Sequence, residues 1–231
     1  MSTQAPARPR RGGLVGTTIG RKAVMAVSGF LMLAFLIVHM LGNLKFFLGA
    51  ADFDHYAAWL RTIGEPLLPH GWYLWIQRGV LIVVVAAHFV SAYLLTRQGG
   101  RARPVKYQHR PYRSSYAAHT MRWGGVVILL FVIYHILDLS TLTLNPAGVP
   151  GQVYGNVAAD FSHWYVTAAY VVAMIALGIH VDHGFWSAAH TLGVHRERSE
   201  RIYKTIAHVL AIALTVGFVS VPILVQIGVA G

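Results

Sequence analysis

No cysteine occurs in the 231 residues. Disulfides are thereby excluded, and a thiolate-held metal cluster cannot be built from this chain alone. Any metal it holds rests on nitrogen or oxygen ligands, or on a partner's sulfur. Charge is scarce as well: charged residues make up 12% of the sequence, with 8 Asp and Glu against 19 Lys and Arg. So little charge, set against 55% hydrophobic residues and a mean hydropathy of +0.53, excludes an ordinary soluble domain. The sequence reads as an all-α membrane protein.

Five apolar stretches, roughly 23–48, 72–96, 123–144, 163–186 and 205–227, are long enough to cross a hydrocarbon core of about 30 Å at about 1.5 Å per residue. An odd number of spans puts the two termini on opposite sides. All Lys and Arg except Lys45, Arg61 and Arg78 lie before the first span, in 97–122 or in 196–204. The positive-inside rule then makes the N-terminus cytoplasmic and the C-terminus external, in a multi-pass protein of the cell's inner (cytoplasmic) membrane. The net charge of +11 is mostly this topology signal, although a basic cytoplasmic face also suits an acidic partner. Nucleic acid is not expected.

Residues 1–20, with ARPRRGG and no apolar periodicity, read as a flexible tail, and 21–231 as the membrane domain. The first span is too long for a signal peptide's apolar core and is expected to be retained. Loop 49–71 has room for a short surface helix ending before Pro66, and 145–161, with NPAG and GVPG, reads as a turn-rich external loop.

Four spans carry one histidine each: His39, His88, His135 and His180. An imidazole with nothing to bind is costly in hydrocarbon, so one per span points to ligation of something held between the helices. Depth sorts them. Spans one and three run outward and spans two and four inward, with each histidine late in its span. His39 and His135 therefore form an outer layer and His88 and His180 an inner one, about 15 Å apart. One imidazole from each of two helices, at two levels, is the donor set of two bis-histidine haems. Gly29 and Gly125 each precede a histidine of the outer layer by ten residues, which sets both at the inner layer's depth. A porphyrin could lie flat against such a backbone; close helix packing accounts equally for either glycine alone. The shared G-x9-H also hints at an internal duplication.

The stretches GRKAVMAVSGFLMLAFLIVHMLGNLKFFLG, ARPVKYQHRPYRSSYAAHTMRWGG, AMIALGIHVDHGFWSAAHTLGV and GFVSVPI, in that order, resemble the di-haem cytochrome b membrane anchor of succinate dehydrogenase and fumarate reductase, in its single-subunit, five-helix form. The similarity runs over about 15–228. It implies two haem b groups, with axial ligands on His39 and His135 for the outer haem and on His88 and His180 for the inner one, the same pairing that depth gives. It also implies a flavoprotein and an iron–sulfur subunit on the cytoplasmic face, and a membrane quinone, menaquinone or ubiquinone, as electron partner. The flavoprotein would handle succinate; this chain would pass electrons. A higher oligomer of the complex is compatible with this picture.

His183, three residues beyond His180 on nearly the same face, is the alternative inner ligand or a hydrogen-bonding group near the inner propionates. Arg21, Lys22, Ser28, Arg122 and Trp123 on the inner side, and Lys45 and Arg78 on the outer, are expected to face propionates or to anchor the spans at the interface. Glu65, with Trp59 and His70, is the expected outer quinone site; His183 and Trp186 mark the competing inner one. Some relatives in this family carry a glutamate two residues before the fourth ligand to move protons; here that position is Gly178. Two alternatives share part of the pattern. One is the cytochrome b anchor of a hydrogenase or formate dehydrogenase. The other is a non-haem anchor whose histidines hold an iron–sulfur centre with partner thiolates.

Overall fold

The computed structural model describes residues 16–101, 112–145, 147–193 and 196–230, with the backbone alone for 101 and 112–119. Most of the expected tail, and residues 102–111 of the second resembling stretch, lie outside the described residues. Seven α-helices form, with no strand among the described residues: α1 Thr18–Leu44, α2 Ala50–Thr62, α3 Trp72–Arg101, α4 Tyr112–His135, α5 Val153–Phe161, α6 Trp164–Thr191 and α7 Glu197–Gln226. Five of them, α1, α3, α4, α6 and α7, are long and apolar enough to cross a membrane. Helix is the form the sequence dictates here, because it satisfies backbone N–H and C=O groups within the segment itself.

Helix α1 starts three residues inside the stretch expected as tail, because the Thr17 hydroxyl accepts from the Gly20 N–H at 3.0 Å and caps it. The loop over 145–161, expected to be turn-rich, also contains α5. That helix is held by Asp54 of α2, whose carboxylate accepts the Tyr154 N–H at 2.9 Å, supplying an acceptor and a negative charge where α5 needs both.

Helices α2 and α5 cap one end of the bundle. Beneath them lies a core of Phe46, Phe53, Val157, Phe161, Val166, Tyr170, Val221 and Val225. Phe46, 1% exposed, stacks on Tyr154 with ring centres 4.4 Å apart. A second core, Leu33, Ala173, Met174, Leu177, Val181 and Leu214, joins α1, α6 and α7. Here Gly178 is pressed against Thr215, and a Cβ at that position would overlap the threonine hydroxyl.

The packing is uneven in a way that matters. Helix α1 packs on α3, α6 and α7, and α4 packs on α6; neither α1 with α4 nor α3 with α6 is a principal pair. Only 6% of the apolar stretch of α3, and of α4, is buried against protein, compared with 44% for α6. The helices that carry each histidine pair are therefore not in close backbone contact with each other.

Candidate functional site: two cross-bundle histidine pairs

His39 of α1 and His135 of α4 bring their ring centres to 5.9 Å, with planes at 77°; His88 of α3 and His180 of α6 come to 6.2 Å, with planes at 61°. In both cases the partners sit on helices that are not principal packing neighbours. Two metal–imidazole bonds of about 2 Å, with a ring radius added on each side, would span roughly 6 Å, a spacing that both pairs match. Two nitrogen donors are too few for a bare ion and suit a metal whose equatorial positions come from a macrocycle.

The glycines fall where their spacing put them. A Cβ on Gly29 would stand 3.5 Å from His88 Cε1, and one on Gly125 would stand 3.7 Å from His180 Cε1. Each glycine thus lies at the level of the His88/His180 pair while its own helix delivers a histidine ten residues on to the other pair. The two levels are about 15 Å apart along α1.

Aromatic rings steady the first pair. Phe35 stacks on His39 at 5.1 Å and Phe131 on His135 at 5.8 Å, each from one turn earlier on the same helix. The G-x9-H repeat is therefore a longer G-x5-F-x3-H shared by α1 and α4.

The ring nitrogens differ in their partners. His88 Nδ1 lies 3.1 Å from the Met25 carbonyl and 3.2 Å from Ser28 Oγ. Because the Ser28 hydroxyl donates to the Val24 carbonyl at 2.7 Å, its oxygen is left to accept, and the His88 proton sits on Nδ1. Ser28, expected near a propionate, thus sits beside His88. His180 Nδ1 is buried with no partner among the described residues. His135 Nδ1 lies 3.2 Å from the Tyr170 hydroxyl, which in turn donates to Asp138 Oδ2 at 2.9 Å.

Asp138 is 1% exposed and sits in a wide turn, Ile136–Ser140, in which the Thr141 N–H reaches back five residues to the Ile136 carbonyl. Such turns recur at functional sites because they re-aim side chains. Asp160 of α5, 6% exposed, meets Asp138. Burial first, then a hydrogen bond to Asp138 and the repulsion of its charge, push the Asp160 carboxyl up to about 7. Folded Asp160 therefore keeps a proton that the unfolded chain releases near 4, so its contribution to stability is complete below pH 4 and is lost as the pH rises through 7. The thermal midpoint of the detergent-solubilised protein is expected to fall across that window, and Asp160→Asn to flatten the fall. An unchanged slope in the variant would remove Asp160 as its source.

The remaining expected site residues scatter. His183 is exposed, its ring 6.4 Å from Trp186, and it is His180 that meets His88. Arg122 is exposed and Trp123 is 70% exposed; Lys22 is exposed too, while Arg21 binds Gln98 at 3.3 Å. Arg78 lies over the Trp75 ring at 4.8 Å, as an interfacial anchor does, and Lys45 over Tyr56 at 5.3 Å. Glu65 and His70 pair with each other at 3.0 Å in the exposed turn after α2 and do not join Trp59. Trp59 instead lines a cavity of ≈ 640 Å³ between α1 and α2, along with Val38, Leu41, Leu60 and Ile63 and the polar Lys45, Asp52, His55, Tyr56 and Tyr73. Sequence reasoning missed Tyr170, Asp138 and Asp160, and this cavity's Asp52 and His55.

The fold and site define a class: a helical bundle with five helices of membrane-crossing length, holding two levels of paired histidines. No protein-family model, no curated protein and no solved structure matches the chain.

Proposed function

We propose that this chain is the membrane-anchor cytochrome b of a succinate:quinone oxidoreductase, carrying two b haems between an iron–sulfur subunit and a membrane quinone. The observation that carries the haem reading is the pair of histidine couples, with ring centres 5.9 and 6.2 Å apart, each bridging two helices that are not principal packing partners. When bound, each haem supplies one-electron exchange between ferric and ferrous iron. The chain's own part would be to hold one haem between His39 and His135 and the other between His88 and His180, a donor set that suits electron transfer, and to exclude water. The succinate-oxidising partners, a flavoprotein and an iron–sulfur subunit, rest on the resemblance stated above.

Their docking face would be the end of the bundle opposite α2 and α5, where Arg21, Lys22, Arg97, Arg198, Arg201 and Lys204 cluster. Positive-inside logic makes that end cytoplasmic. At the other end the cavity between α1 and α2 suits the quinone. Its size falls in the ordinary range for ligand sites, its wall includes the neighbours of His39, and Asp52, His55 and Tyr56 are there to exchange protons with a reduced ring. Burial pushes the Tyr56 hydroxyl above its usual range, which keeps it a donor.

The deciding experiment is a reduced-minus-oxidised visible spectrum of the purified protein, with haem quantified per chain and co-purifying proteins identified. Two low-spin b haems with flavin and iron–sulfur partners are expected. Absence of b haem sinks the proposal. Two haems with a hydrogenase or formate dehydrogenase as partner keeps the cytochrome and replaces the enzyme.

A further inference from the structure

The His135 side of the site ends in a buried acid pair, and among the described residues nothing equivalent stands behind the other pair. Tyr170 has one hydroxyl proton, and that proton goes to Asp138 Oδ2 at 2.9 Å. Its oxygen can therefore only accept from His135 Nδ1, 3.2 Å away. The tautomer of His135 is fixed by this: Nδ1 carries the proton and Nε2 is the free donor. Tyr170 is 6% exposed and Asp138 1%, so both bonds form out of water, where each polarises the next. Asp138 Oδ1 and Asp160 Oδ2 are buried without a hydrogen-bond partner among the described residues.

His88, by contrast, donates to a neutral backbone carbonyl, and His180 Nδ1 has no partner among the described residues. A carboxylate pulling on the far side of an imidazole, even through a hydroxyl, makes its other nitrogen more electron-rich. An electron-rich axial ligand favours ferric over ferrous iron.

We propose that Tyr170 and Asp138 are positioning residues for His135, fixing its tautomer and lowering the reduction potential of the one iron it would ligate. The inference rests on the haem reading above. It assigns a role to an aspartate placed in an apolar helix end, where a carboxylate with no task is costly.

The test is an optical redox titration of the full-length, haem-loaded protein in detergent, comparing wild type with Tyr170→Phe and Asp138→Asn. In each variant one of the two haems is expected to shift about tenfold toward the reduced form at a given potential, ~59 mV for one electron, while the other stays in place. Asp138→Asn keeps the tyrosine and the shape of the pocket, so it decides the matter if Tyr170→Phe loses haem. Both haems present with neither midpoint moved in Asp138→Asn overturns the proposal, and so does an equal shift of both. A wild-type protein with no b haem sinks this inference together with the proposed function, whereas two haems with unmoved midpoints sink this inference alone.

Discussion

His88→Ala is expected to leave one haem b per chain instead of two, and the survivor to be the haem held by His39 and His135. The two pairs use four different helices and sit about 15 Å apart, so loss of one should not propagate to the other. Alanine at 88 removes the donor 6.2 Å across from the His180 ring and the hydrogen bonds that anchor it to Met25 and Ser28. With one axial imidazole gone, the low-spin spectrum of that haem disappears even if some porphyrin is retained. His135→Ala should do the same to the other haem. His183→Ala is the control: its ring is exposed, near Trp186, and both haems should remain. Haem extracted per chain and the reduced α band are the two readouts. Undiminished haem in His88→Ala, or loss in His183→Ala alone, would show the ligands to be misassigned.

Much of this was legible because membrane helices obey a simple ruler. Fixed rise per residue turns sequence position into depth, and four histidines late in alternating spans can meet only in the pairs observed. The same ruler placed Gly29 and Gly125 beside His88 and His180. Applied once more it would have found Tyr170, which precedes His180 by ten residues as each glycine precedes its own histidine, and so belongs at the His39/His135 level. Asp138 carried a signal too, as a carboxylate three residues beyond a histidine in an apolar run. What depth cannot supply is direction around the helix axis. Ser28 and Arg122 lie at similar depth, yet one is buried against His88 and the other is exposed.

Loops escape the ruler altogether. Helix α5 is short, and it is held by partners far off in sequence: Val157 and Phe161 enter the core with Phe46 and Phe53, and the carboxylate of Asp54, a hundred residues earlier, caps its N-terminus. Glu65, Trp59 and His70 are close in sequence but divided by the turn after α2, which pairs the acid with the imidazole and leaves the tryptophan in the cavity with Asp52 and His55. Gly178 is another case. A missing glutamate reads from sequence as a missing proton carrier. The structure adds that a Cβ at that position would meet Thr215 of α7.

The glycines separate a cofactor cradle from ordinary close packing. Gly29→Leu and Gly125→Leu are each expected to lose the His88/His180 haem and keep the other, although the two substitutions lie on helices that are not principal packing partners. The reasoning is geometric. A Cβ at either position meets the imidazole delivered by the neighbouring helix, at 3.5 Å from His88 or 3.7 Å from His180, an ordinary contact and far looser than that of Gly178 with Thr215. If the glycines served only to let helices approach, a leucine would push helices apart, with loss of both haems and of thermal stability. A cradle predicts instead that one haem disappears, the remaining one keeps its midpoint potential, and the protein stays monodisperse. Haem content, redox titration and size-exclusion profile of the two variants distinguish these outcomes, and retention of both haems by either variant would mean that the space beside that glycine is not where a porphyrin lies.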